Sequence, residues 1–110
     1  MNKPYFNSGK KKYEIGRGSY SLHIEVLQDF KNRYLVSVTY TKPIKNLNGS
    51  NGTISVGWMI PQTFAHPHTA RLSGHQALFD EITARGFYSE FKELLRGLSL
   101  LVNYKNLFNE

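Results

Sequence analysis

Residues 20–26, Tyr20-Ser21-Leu22-His23-Ile24-Glu25-Val26, alternate apolar and polar side chains without a break. A strand has a side-chain period of two, so Tyr20, Leu22, Ile24 and Val26 share one face and Ser21, His23 and Glu25 the other, as in a half-buried strand. The pattern returns at Tyr34, Val36, Val38 and Tyr40, with Leu35, Ser37, Thr39 and Thr41 opposite. It returns again at Ile54, Val56, Trp58 and Ile60, with Thr53, Ser55, Gly57 and Met59 opposite. A turn over residues 28–32 joins the first two strands. Residues 46–52, with the steps Asn48-Gly49 and Asn51-Gly52, supply the left-handed backbone that hairpin turns favour. Pro43 has no amide proton to give a ladder and is expected to end or bulge the middle strand. Consecutive strands with short connections predict an antiparallel meander. Residues 13–15 predict a short additional edge strand, stopped by Gly16-Arg17-Gly18-Ser19.

After Pro61 the period changes. Ser73 and Gln76 have capping-box spacing, with Leu72 outside them as a hydrophobic staple, and Leu78, Phe79 and Ile82 form an apolar stripe. Gly86 stands where a left-handed C-terminal residue is wanted, so a helix is predicted over residues 74–85. A second begins near Ser89, with Phe91, Leu94, Leu95, Leu98, Leu101 and Val102 at helical spacing. Gly97 within it predicts a close helix crossing or a kink. Strands first and helices after give an α+β fold: a three- to four-stranded antiparallel meander followed by two C-terminal helices packed on one sheet face. The helical stripe is needed to close the core, which leaves Leu100, Tyr104, Leu107 and Phe108 as exposed apolar positions.

A chain of 110 residues forms one domain with a core of its own. Residues 1–12 are polar, basic and without periodicity, and are read as a flexible basic arm ahead of a domain over residues 13–110. There is no cysteine, hence no disulfide framework and no thiolate chemistry. No apolar run approaches the length of a membrane span, so a soluble, cytoplasmic protein with no membrane contact is expected.

The chain carries a formal net charge of +6, and all of it belongs to residues 1–52, because the bases and acids of the second half cancel. A basic half attracts polyanions. The aromatic residues Tyr20, Tyr34, Tyr40 and Trp58 share the aliphatic face and read as core, not as a base-stacking platform. Lys3, Lys10, Lys11, Lys12, Arg17, Lys31, Arg33, Lys42 and Lys45 remain, on the arm and the turns, as candidate contacts to phosphates. The opposite sheet face reads as small, flat and nearly uncharged.

Catalytic constellations are weaker. Ser21, His23 and Glu25 spell a triad on one strand, but same-face neighbours lie about 7 Å apart, beyond the reach a nucleophile and its base need. His66, His68 and His75 fall within ten residues of each other, a permissive spacing for a metal with no carboxylate or cysteine to complete it. No metal, cofactor or catalytic residue is assigned. The expected function is that of a small non-enzymatic binding protein, monomer or homodimer, contacting nucleic acid or a nucleoprotein complex through its basic arm and turns. The alternative is a protein-interaction module, an inhibitor or accessory factor that blocks a partner by covering its surface.

Overall fold

The computed structural model describes residues 10–109, with side chains from residue 10 to residue 103. Strands β1 (Lys11–Arg17), β2 (Tyr20–Gln28), β3 (Tyr34–Lys45) and β4 (Asn51–Met59) form one antiparallel sheet in the order β1-β2-β3-β4. Helices α1 (Pro67–Ala84) and α2 (Tyr88–Asn109) follow, which is the α+β meander with two C-terminal helices that the alternation predicts. Residues 1–9 of the expected arm lie outside the described residues, as do the side chains of Tyr104, Leu107 and Phe108.

The register lines the apolar residues up row by row. Ile24 stands between Tyr13 and Val38, Leu22 is flanked by Ile15 and Tyr40, and Val26 faces Val36. Tyr13, Leu22, Ile24, Val26, Val36, Val38 and Tyr40 are buried beneath Leu78, Ile82, Phe91, Leu95 and Leu98 of the helices. Both helices pack on this face. α1 lies over β2 and β3, α2 over β1 and β2, and among the described residues neither packs on β4. Tyr40 is the hub of an aromatic group, with Phe91 at 5.7 Å, Trp58 at 6.5 Å and Phe87 at 6.5 Å between ring centres, all edge-on. The core reading of Tyr40 is correct, and Tyr20, Tyr34 and Trp58 are half-buried against the same cluster.

Four boundaries differ from expectation, each for a local reason. β4 starts at Asn51, because Asn51 and Gly52, expected in the turn, pair with Lys45 and Ile44, and only the Asn48-Gly49 step supplies left-handed backbone there. β1 starts at Lys11, two residues before the predicted edge strand, because Lys11 and Lys12 pair with Val26 and Glu25. β3 runs through Pro43, which pairs with Thr53. The Val36 carbonyl accepts from Ile60 at 2.9 Å, so even-numbered residues of β3 turn their polar groups to β4 and Pro43 turns its nitrogen away. On that side β2 pairs no further than Thr41, and the missing donor costs nothing. α1 starts at Pro67, not beyond Ser73. Its N-cap is His66, which makes no side-chain cap bond, and proline at the first helical position needs none of the amide it lacks. Ser73 lies within the helix, and Gln76 bonds Asp80 one turn on at 2.9 Å instead of reaching back.

The helix stop is as predicted. Gly86 has φ 82°, the Phe87 amide donates to the Ile82 carbonyl at 2.9 Å and the Gly86 amide to Thr83 at 3.0 Å, which satisfies the last carbonyls of α1. Gly97 marks not a crossing of the two helices but a close approach of α2 to the edge strand β1: a Cβ there would stand 2.5 Å from Ile15 Cδ1. Among the described residues no helix is long and apolar enough to cross a membrane.

Candidate functional site

The β1–β2 register decides where the cations go. Lys11 faces Val26 and Lys12 faces Glu25, so the start of β1 lies beside the turn that leaves β2. That turn is built by Asp29. Its Oδ1 accepts from the amides of Lys31 at 2.8 Å and Arg33 at 2.9 Å, its amide donates to the Arg33 carbonyl at 2.8 Å, and Asn32 takes the left-handed φ of 63°. The Arg33 amide bond first, and that of Lys31 with both cationic charges, hold the Asp29 carboxyl below its ordinary range against the opposing effect of burial. Lys10, Lys11, Lys12, Lys31 and Arg33 therefore share one end of the sheet, although 18 residues of chain lie between Lys12 and Lys31.

The remaining predicted contacts are not with them. Arg17 closes the β1–β2 hairpin, whose Gly18 has φ 62°, and Lys45 borders the β3–β4 turn. β3 alone spans twelve residues, which at about 3.3 Å per residue separates the two ends by roughly 35 Å. Lys42 is drawn inward: its ammonium lies 4.7 Å above the Phe87 ring and 3.6 Å from Glu90 Oε1, and its side chain is 15% exposed. Glu90 also accepts from the Tyr20 hydroxyl at 3.1 Å, and that bond, ahead of burial, raises the phenol above its ordinary value. Lys3 lies outside the described residues.

The open face of the sheet is more charged than its own strand pattern suggests, because β1 adds Lys12 and Glu14 to it. His23 lies between two carboxylates, with Nε2 at 3.1 Å from Glu25 Oε1 and Nδ1 at 3.5 Å from Glu14 Oε2. Lys10 completes the group, its ammonium 3.0 Å from Glu25 Oε2. Burial pushes the Glu25 carboxyl up, but Lys10 and His23 together pull it further down, and the net shift is downward. The His23–Glu25 contact corrects the argument that neighbours two apart on a strand stay out of reach: the long Glu side chain leans along the strand and closes the gap. Among the described residues no hydrogen bond joins Ser21 to this pair.

The three neighbouring histidines do not converge. His66 and His68 stack at 5.7 Å, whereas His75 turns its Nε2 to the Leu95 carbonyl at 3.0 Å across the helix pair. No group of three or more His, Cys, Asp or Glu with metal-holding geometry occurs among the described residues. Arg71 carries no periodicity signal that marks it, yet it is buried, with Nε donating to the Val102 carbonyl at 3.0 Å and its guanidinium 5.8 Å from the Tyr13 ring. Only its place on the inner face of α1, one turn from Gly74 and two from Leu78, sets it apart from a solvent-facing arginine.

Compared with models of known protein families, with curated proteins and with solved structures, the chain has no match.

Proposed function

We propose that the protein is a small binding protein, without catalytic chemistry of its own, that holds a phosphate-bearing polyanion, nucleic acid or nucleoprotein, at the end of the sheet carrying Lys10, Lys11, Lys12, Lys31 and Arg33. The observation that carries the reading is the β1–β2 register, which gathers cations from two separate stretches of sequence. The two carboxylates beside them, Glu25 and Asp29, are already engaged in contacts to Lys10, His23 and the turn amides. Among the described residues Lys11, Lys12 and Lys31 have no carboxylate within ion-pair distance, so their charge is directed to solvent. Long cationic side chains at a turn and a strand end suit phosphates, which accept charge from many directions and carry no sequence.

The test is binding of labelled single- and double-stranded oligonucleotides followed by fluorescence anisotropy across a salt series. Engagement of about four phosphates gives a log–log slope of about −3 to −4, with little dependence on base sequence. A flat salt dependence overturns the reading. A second reading, surface occlusion of a partner protein, draws on the apolar side chains Ile44, Leu47 and Ile54 exposed where the β3–β4 hairpin runs past β2. It predicts instead that charge reversal at Lys31 and Arg33 leaves partner binding intact.

A further inference from the structure

The two edges of the sheet are built differently. β1, on one side, is Lys11-Lys12-Tyr13-Glu14-Ile15-Gly16-Arg17, with four charges in seven residues and α2 packed along it. Such charges are the usual guard against unwanted pairing of an edge strand. β4, on the other side, is Asn51-Gly52-Thr53-Ile54-Ser55-Val56-Gly57-Trp58-Met59, nine residues with no charge and no proline, and among the described residues no helix packs on it. The register with β3 runs without a bulge from Met59 to Asn51, so nothing twists this edge away. Because the Ile60 amide points to β3, the amides of Trp58, Val56 and Ile54 do too, and those of Met59, Gly57, Ser55 and Thr53 point outward. An unguarded edge with a row of outward donors and acceptors is a template for another strand.

We propose that β4 pairs with β4 of a second copy of this chain, antiparallel across a two-fold axis at Ser55, to give a continuous eight-stranded sheet. The match of uncharged, incompletely covered side chains along the seam is the argument for a second copy over any other occupant. With Ser55 on the axis, the nine residues overlap from end to end, Asn51 opposite Met59 of the partner copy and Thr53 opposite Gly57, and every outward amide finds an outward carbonyl. On the helix-side face, Ile54 then stands across from Val56 and Trp58 from Gly52. Each of these apolar side chains is incompletely covered in the monomer. The Trp58 position falls beside the groove of about 270 Å³ that Ile44, Ile54, Val56 and Phe87 line past the end of the helices, and an aromatic residue opposite a glycine is a favourable cross-strand arrangement. No like charges meet along the seam. The closed two-fold contact uses the same edge from both copies and leaves no β4 edge free to extend a filament.

Sedimentation velocity from micromolar to sub-millimolar concentration, together with amide hydrogen exchange on the same samples, tests the proposal. The expected result is a monomer–dimer equilibrium in which the Thr53, Ser55 and Gly57 amides gain protection as concentration rises, while the Ile54 and Val56 amides, already bonded to β3, do not change. Ser55→Lys sets two ammonium groups against each other at the axis and raises the dimer dissociation constant about tenfold or more, by like-charge opposition across the strands. Circular dichroism checks that this variant folds, and the exchange pattern of the unmodified chain stands whether it does or not. A monomer at every concentration, with the Thr53, Ser55 and Gly57 amides exchanging freely, leaves the edge to an extended segment of another protein or to solvent and overturns the proposal. A dimer that forms without protection of these three amides overturns it too.

Discussion

Glu25 shows how a single carboxylate orders one end of the open face. It takes Lys10 on one oxygen at 3.0 Å and His23 on the other at 3.1 Å, and its side chain is 20% exposed. Its carboxyl is lowered from the ordinary glutamate value, since the pull of Lys10 and His23 exceeds the opposing effect of burial. A folded-state value below the unfolded one means that the group contributes stability above the unfolded value, about 4.3, and loses it as pH falls through the folded one. Glu25→Gln is therefore expected to cost about 0.5–1 kcal/mol at neutral pH, the range of a half-exposed ion pair. Its penalty should fade below about pH 4. Urea melts of both proteins across this window measure the gap. A gap that stays constant with pH means that Glu25 contributes through packing and not through charge.

At the scale of the element, two glycines inside helices look alike in sequence and stand in different surroundings. A Cβ at Gly74 would meet Ile24 Cγ2 at 2.8 Å and Val36 Cγ1 at 3.1 Å, both from buried, β-branched side chains of central strands. A Cβ at Gly97 would meet the tip of Ile15 alone, a half-buried side chain on an edge strand, whose far end can give way more readily than a fully buried one. Alanine gains about 1 kcal/mol of helix propensity over glycine at either site, and forcing volume into a packed core costs about 1–3 kcal/mol. Gly74→Ala is thus expected to lose about 1 kcal/mol net, and Gly97→Ala to lie between neutral and about 1 kcal/mol more stable. Denaturant midpoints of the two variants decide it, and the reverse order would mean that α2, not α1, is the helix held tightly to the sheet.

These helices also show what was legible in the chain and what was not. The strand alternation and the left-handed stop at Gly86 were readable because each is a local signal that the structure uses locally; Gly97 announced a tight site, but its neighbour is Ile15 of the distant strand β1 and not a crossing helix. The start of α1 was not readable. Ser73 and Gln76 imitate a cap, whereas the true start at Pro67 has no capping side chain to announce it. Gly74 was read as the first turn of a helix when it is the closest approach of α1 to the sheet. Pro43 misled for a related reason: which way its nitrogen faces depends on the pairing parity of β3, a property of three strands together and not of its neighbours in sequence.

For the whole molecule, the nine candidate cations were visible one by one, but their grouping was not, because it depends on the register of β1 against β2 and on contacts made across long stretches of chain. Lys42 and Glu90 are 48 residues apart and 3.6 Å apart in the fold. The charge of Lys42 is thereby used within the protein, while Lys31 and the half-exposed Arg33, whose Nε lies 3.8 Å from Asp29 Oδ2, stand on a turn whose amides Asp29 holds in place. The two kinds of cation should separate by experiment. Lys42→Ala removes the contacts to Phe87 and Glu90 and is expected to lower stability by about 0.5–1 kcal/mol. Its effect on oligonucleotide affinity should stay within about twofold, since the Lys42 ammonium is turned to Phe87 and Glu90 and away from solvent. The double reversal Lys31→Glu with Arg33→Glu should act mainly on binding: a loss of affinity of at least about tenfold, shared across all sequences, and a salt slope shallower by about two, with a small fall in thermal midpoint because two carboxylates then stand beside Asp29. If Lys42→Ala weakens binding as much as the double reversal, the polyanion reaches both ends of the sheet and runs along its length, a path of roughly 35 Å that needs a correspondingly longer minimal oligonucleotide.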